Sequence, residues 1–127
     1  MNELTKEWVD KAEADFYSAQ LLLHAGEYPL SEPACFHCQQ CAEKYVKAFL
    51  TEQDIDFPRN HDLVRLLELC LTVDGSFERL GDHLRKLENY GVIIRYPGLT
   101  VPLKMAKEAF KNATRVRGFI RRKLKVK

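Results

Sequence analysis

The chain lacks the features that would tie it to a membrane or to an oxidising compartment. Across 127 residues no apolar run approaches the ~20 residues that a membrane span needs. Met1 to Asp10 holds no basic segment followed by an apolar one, so no signal peptide is expected. Four cysteines without a secretion signal point to free thiols and a cytoplasmic location. There are no internal repeats and no low-complexity segment. Val92-Ile93-Ile94 is the one strand-like run, and no partner strand exists elsewhere in the chain. Metal ligands are scarce too. Cys35, Cys38 and Cys41 step along one helix, where only about two of them can face a common ion, and a structural zinc site usually draws on two elements. Cys35-x-x-Cys38 has no strand-to-helix setting of the kind a redox motif uses. No metal and no cofactor are expected.

What is present is ordinary for a globular chain. Charged residues make up 30% and hydrophobic ones 46%. A chain of this length reads as a single domain over residues 1–127, able to bury roughly two-thirds of its unfolded surface. Charge is distributed unevenly. Residues 111–127 carry eight Lys or Arg and no acid, while residues 1–110 hold twelve basic against eighteen acidic side chains, a balance of −6.

The stretch from Ala34 to Leu50 has no Gly or Pro and is rich in helix formers, so it predicts a helix. Ala34, Cys38, Cys41, Tyr45 and Ala48 draw one apolar stripe. Phe36, Ala42, Val46 and Phe49 widen it. A narrow polar strip remains, formed by His37, Gln40, Glu43, Lys44 and Lys47. A helix so largely apolar belongs at the centre of its domain, with its cysteines as packing.

The other elements read as helices around it. The first runs from about Leu4 to His24, with Thr5 as the expected N-cap, Trp8, Ala12, Ala19 and Leu22 inward, and Gly26 and Pro29 ending it. Asp15 falls on the same inward line. A carboxylate there is costly unless paired, so it either forms a salt bridge or cap across to the next helix or has a ligand-binding or catalytic role. The central helix opens at Ser31 or Glu32, with Pro33 in its first turn, and ends near Glu52. A third helix starts at Asn60 or His61 and runs to about Cys70, on a stripe of Leu63, Leu66, Leu67, Cys70 and Leu71. A fourth spans Phe77 to Tyr90, with Leu80, Leu84 and Leu87 inward. Gly91 to Val101 breaks the pattern. The last helix begins near Pro102 and extends towards Lys125. Amphipathic helices joined by short loops predict an all-α, antiparallel up-and-down four-helix bundle with a short extra helix.

Several of these residues resemble a known family. Trp8, Ala12 and Asp15, the run from Ala34 to Lys44 with Lys47 and Ala48, Phe57 to Leu63, and Arg95-Tyr96-Pro97-Gly98 follow the order and spacing of a HEPN domain of the small prokaryotic type. The name denotes the higher-eukaryote and prokaryote nucleotide-binding domain. The resemblance implies the same helical bundle, a homodimer, and an association with a minimal nucleotidyltransferase in a toxin–antitoxin-like pair. Other branches of the superfamily are metal-independent ribonucleases that depend on an Arg-x(4–6)-His motif. That strict motif is absent here. His83 has Arg79 upstream with three residues between, one short of it. At i and i+4 the two can share a helix face, with His83 as general acid or base and Arg79 as phosphate clamp, or they can be a solvated surface.

The central polar strip carries the other reading. Gln40, Glu43, Lys44 and Lys47 either form an exposed face with weak ion pairs or line a groove between helices one and two. In the second case Asp15 faces Gln40 and Lys44, and Lys44 neutralises Asp15 or holds a phosphate. His61 and Arg95 close the groove. Alternatively, Arg95 and Tyr96 pin the irregular segment onto the bundle, Tyr96 by packing and Arg95 by pairing with Glu43 or Asp15. The basic C-terminus, from Arg115 to Lys127, suits an acidic partner, nucleic-acid phosphates, or simply the helix macrodipole. The expectation is a non-catalytic, dimeric binding module for a nucleotidyltransferase and nucleotide. The competing one is a ribonuclease built on Arg79 and His83.

Overall fold

The computed structural model describes residues 1–25, 30–95, 97–98 and 100–126, the side chains of 92–95 excepted. These form five α-helices: α1 Glu3–Leu23, α2 Ser31–Glu52, α3 Leu63–Leu71, α4 Gly81–Arg95 and α5 Leu103–Lys123. A short 3-10 helix, Gly75–Leu80, leads into α4. Among the described residues there is no strand, as the sequence leads one to expect. Side-chain pairs show how the helices run. Thr5 meets Glu52 while Asp15 meets Lys44, so α1 and α2 are antiparallel. Glu13 meets Arg117 while Phe16 stacks on Phe110, so α5 also runs against α1. His83 meets Asn112 and Tyr90 meets Glu108, so α4 and α5 are antiparallel.

α2 is the centre of this bundle, touching α1, α3, α4 and α5. Its stripe of Ala34, Cys38, Cys41, Tyr45 and Ala48 has no exposed surface. Small residues dominate that stripe, so neighbouring helices can approach closely. Phe36 departs from the expected pattern: it is 42% exposed, because it lies on the side of α2 that faces an open groove. All four cysteines are free and buried. Burial pushes the Cys35 thiol up to about 11 and the Cys70 thiol up to about 12, and raises those of Cys38 and Cys41 as well. Buried and held as thiols, they suit packing rather than nucleophilic chemistry.

The helix ends correct three details. Asn2, not Thr5, caps α1: its Oδ1 accepts from the Thr5 N–H at 2.7 Å. Thr5 is instead fully buried and donates its hydroxyl to Glu52 Oε1 at 2.9 Å, fastening the start of α1 to the end of α2. Asp62 caps α3, accepting from the Arg65 N–H at 3.0 Å, so this helix starts later than Asn60 or His61. The Leu63 N–H donates to Glu88 of α4 at 2.6 Å. Leu71, expected inward, is 37% exposed as the last residue of that helix.

α4 continues through Gly91 to Arg95, where the sequence suggests a break. A glycine inside a helix costs about 1 kcal/mol relative to alanine. Here it permits close approach: a Cβ on Gly91 would stand 2.6 Å from the amide atoms of Gln39 on α2. At the other end of α4, Asp74 organises the 3-10 turn. Its Oδ1 accepts from the Ser76 backbone and hydroxyl at 3.0 and 2.6 Å, and its Oδ2 takes Lys123 Nζ at 2.9 Å. The Ser76 and Lys123 bonds hold this half-buried carboxyl down at about 2. Gly26 and Pro29, the expected end of α1, lie outside the described residues.

Candidate functional site

The polar strip of α2 is not a solvated face. It splits into two carboxylate-centred clusters. In the first, Asp15 reaches across from α1, is 7% exposed, and accepts from Lys44 Nζ at 2.6 Å and His37 Nδ1 at 2.7 Å. In the second, Glu43 is 2% exposed and accepts from Lys47 Nζ at 3.0 Å and His61 Nδ1 at 2.9 Å. The Lys47 ammonium also lies over Trp8 and Phe57, 5.5 and 5.7 Å from the ring centroids, within cation–π range. So Lys47, read as part of a polar strip, is a buried cation held by a carboxylate and two aromatic faces.

Both histidines use the same device. An ionised carboxylate only accepts, so Nδ1 of His37 and of His61 must carry the proton it shares. The tautomer and ring orientation are thereby set, and Nε2 is left as the nitrogen without a protein partner among the described residues. The two rings border one open groove of about 810 Å³, together with Glu32, Pro33, Phe36, Gln39, Gln40 and Gly91. Each ring, when doubly protonated, offers a cationic N–H to this groove, and Gln39 and Gln40 add amides. These imidazole and amide donors suit a phosphate or another oxyanion, with Glu32 the one acid in the lining. Among the described residues no group of three or more His, Cys, Asp or Glu is placed to hold a metal ion.

Comparison with known proteins decides the family. A sequence model of the HEPN domain matches residues 5–123. The chain belongs to the HEPN family. It is 33% identical over 98 residues to the Methanocaldococcus jannaschii protein named "Putative toxin MJ1304", an alignment that covers 72% of this chain and 62% of that one. The chain thus spans less than two-thirds of that curated relative. Two crystal structures share the fold at 25% identity. TT1696 from Thermus thermophilus superposes with a TM-score of 0.77 over 97% of this chain and 99% of that one. ST0689, an archaeal HEPN homologue, superposes with 0.68 over 97% and 98%.

In this HEPN domain the residues singled out from sequence are only partly gathered at one place. Gln40 and His61 line the groove, and Asp15, Glu43 and Lys44 stand behind it as supports. Lys44 neutralises Asp15. Glu43 is occupied by Lys47 and His61. Tyr96 and the Arg95 side chain lie outside the described residues. Sequence reasoning missed His37 as a site residue. The signal was available: His37 and Lys44 are seven residues apart, two helical turns, and so face the same carboxylate.

A third cluster ties the HEPN bundle together away from the groove. Glu13 on α1 takes two bonds of 2.7 Å from Arg117, a further contact of 3.3 Å from Arg121, and the Tyr45 hydroxyl of α2. Burial alone would raise the Glu13 carboxyl. The hydrogen bonds from Arg117 and Tyr45 outweigh it and leave the group below its ordinary value. Arg117 and Arg121 of the basic C-terminal helix are therefore internal wiring. Arg79 sits exposed in the 3-10 helix, with no polar partner among the described residues. His83 is half-buried, and its Nδ1 bonds Asn112 Oδ1 at 2.7 Å. Asn112 Nδ2 donates to the Glu108 carbonyl, which fixes Oδ1 as acceptor and leaves His83 Nε2 as the open nitrogen. No bond joins Arg79 to His83.

Proposed function

We propose that this HEPN domain is a non-catalytic binding module that takes the phosphate of a nucleotide in the His37–Gln40–His61 groove. It does so as the dimeric partner of a minimal nucleotidyltransferase. One observation carries the nucleotide half: two imidazoles on one groove are each oriented through Nδ1 by a buried carboxylate. Groups held this way lose little freedom when a ligand arrives. The nucleotidyltransferase partner and the homodimer rest on the family resemblance. Tyr17 and Leu21, one turn apart on α1 and 52% and 74% exposed, offer an apolar face for either contact. Calorimetry with ATP and other nucleotides tests the groove. Binding that falls at least tenfold in His37→Ala and His61→Ala supports it, and the absence of heat with every nucleotide removes it. Light scattering behind a sizing column tests the dimer, and a monomer at all concentrations removes that part.

A second reading is favoured by the toxin-named relative together with an unpaired Arg79 and an oriented His83. In it His83 Nε2 serves as general base or acid and Arg79 clamps the phosphate, making the chain a metal-independent ribonuclease. Labelled RNA incubated with wild type and with His83→Ala separates the two readings. Cleavage by the wild type that disappears in the variant overturns the binding-module reading.

A further inference from the structure

α5 carries two classes of basic side chain. Arg117, Arg121 and Lys123 are paired into the fold by Glu13 and Asp74. Lys104, Lys107, Lys111, Arg115 and Arg122 are exposed and have no ion pair or hydrogen bond among the described residues. Their spacing of three, four, four and seven residues keeps all five on one stripe, with Gly118 filling the remaining turn. The stripe runs for about 27 Å at 1.5 Å per residue. Four of the five border an open groove of about 810 Å³ between α5 and the end of α1, and no acid lines it.

This arrangement works against the helix that bears it. Lys104 lies in the first turn of α5, where the helix dipole disfavours a cation, and that turn has no acid to offset it. Lys107, Lys111 and Arg115 are successive i, i+4 neighbours of like sign, which repel. Macrodipole compensation accounts for Arg122 in the last turn, not for Lys104, Lys107, Lys111 and Arg115. A ligand of repeating negative charge removes both penalties.

We infer that the Lys104–Arg122 stripe of α5 is a binding track for the phosphodiester backbone of a nucleic-acid strand, separate from the histidine groove. An acidic protein surface is the poorer fit. Three of the five cations are lysines, and lysine is depleted in protein–protein interfaces, where aromatic anchors are expected. The aromatic ring at the groove floor, Phe110, is already stacked on Phe16 at 5.0 Å. What is left is charge at regular intervals, which reads a backbone and not a base sequence.

The test is fluorescence anisotropy with a labelled oligo(U) strand, its DNA counterpart and a duplex, each titrated across salt. Five contacts give a log–log slope of about −3.5 on a single strand and about −4.5 on a duplex, so affinity falls roughly a hundredfold on the single strand and about five-hundredfold on the duplex between about 50 and 200 mM salt. Lys107→Gln/Lys111→Gln/Arg115→Gln should make the single-strand slope shallower by about 2. Because these side chains make no polar contacts within the fold, the variant should melt at or above the wild-type temperature. A single Arg115→Glu exchange gives a second, milder readout. Lys6→Gln/Lys11→Gln on α1 should change nothing. Three results would each overturn the inference: no binding by the wild type at low salt, a triple variant that binds like the wild type, or labelled polyglutamate bound as tightly as the strands. His37→Ala should leave strand binding intact, so this outcome stands apart from that of the nucleotide groove.

Discussion

The buried pair of Glu43 and Lys47 makes the sharpest test of the site's construction. Their side chains are 3% and 8% exposed, and the ammonium has Trp8 and Phe57 as its other neighbours. Glu43→Leu removes the carboxylate and leaves the cation buried without a counter-charge. Breaking a buried pair in this way costs about 3–5 kcal/mol. The two aromatic faces retain part of the attraction, worth about 0.5–2 kcal/mol, so the lower end of that range is expected. Against a total of about 5–15 kcal/mol for a domain, the loss is severe. At about 4 °C per kcal/mol for a chain of this size, Tm falls by roughly 12 °C. Glu43→Leu/Lys47→Met removes both charges at similar volume and should return to within about 1 kcal/mol of wild type, or exceed it. Urea titrations followed by circular dichroism measure all three proteins. A single variant within about 1 kcal/mol of wild type, or a double variant as weak as the single one, refutes the reasoning. The pair also separates stability from function. Both variants strip His61 of its Nδ1 acceptor, so nucleotide affinity should stay low in the double variant even as its stability recovers.

Two further outcomes follow from the same geometry. Glu13 sits below its ordinary carboxyl value of 4.5, so its bonds to Arg117 and Tyr45 stabilise the fold above that value and lose their effect as pH falls through the lower, folded one. Glu13→Gln should therefore lower stability by about 2 kcal/mol at neutral pH, with the gap to wild type closing in acid, and a gap independent of pH contradicts this account. The thiols supply the second outcome. With Cys35 raised to about 11, Cys70 to about 12 and Cys38 and Cys41 raised as well, a thiolate-selective disulfide reagent should find no fast-reacting group in the folded protein and all four in urea. A thiol that reacts at once in the native state contradicts the packing role assigned to α2.

Local chemistry made most of the fold legible. Helix periodicity, the Pro33 first turn and the apolar stripe of α2 are written in near neighbours, and they stand where the pattern puts them. The N-terminal cap was misplaced by three residues because Thr5 and Asn2 are both competent caps, and only the contact with Glu52 makes Thr5 a buried tie. The break expected at Gly91 did not occur, because what glycine accommodates there is Gln39 of another helix, which no local propensity records.

The candidate site divides the same way. That Asp15 needs a partner, and that Gln40, Glu43 and Lys44 share one strip of α2, follows from residue type and helical spacing. Which charge meets which does not, because it depends on how two helices are rotated and staggered against each other. Lys44 and His37 take Asp15, Lys47 takes Glu43, and Arg117 crosses 104 residues to reach Glu13. The basic end of the chain is the clearest case. By itself the sequence determined that α5 would be strongly cationic. Only the tertiary structure decided which cations hold the bundle together and which face outward, because an ion pair needs a carboxylate within about 4 Å and only packing brings Glu13 and Asp74 that close.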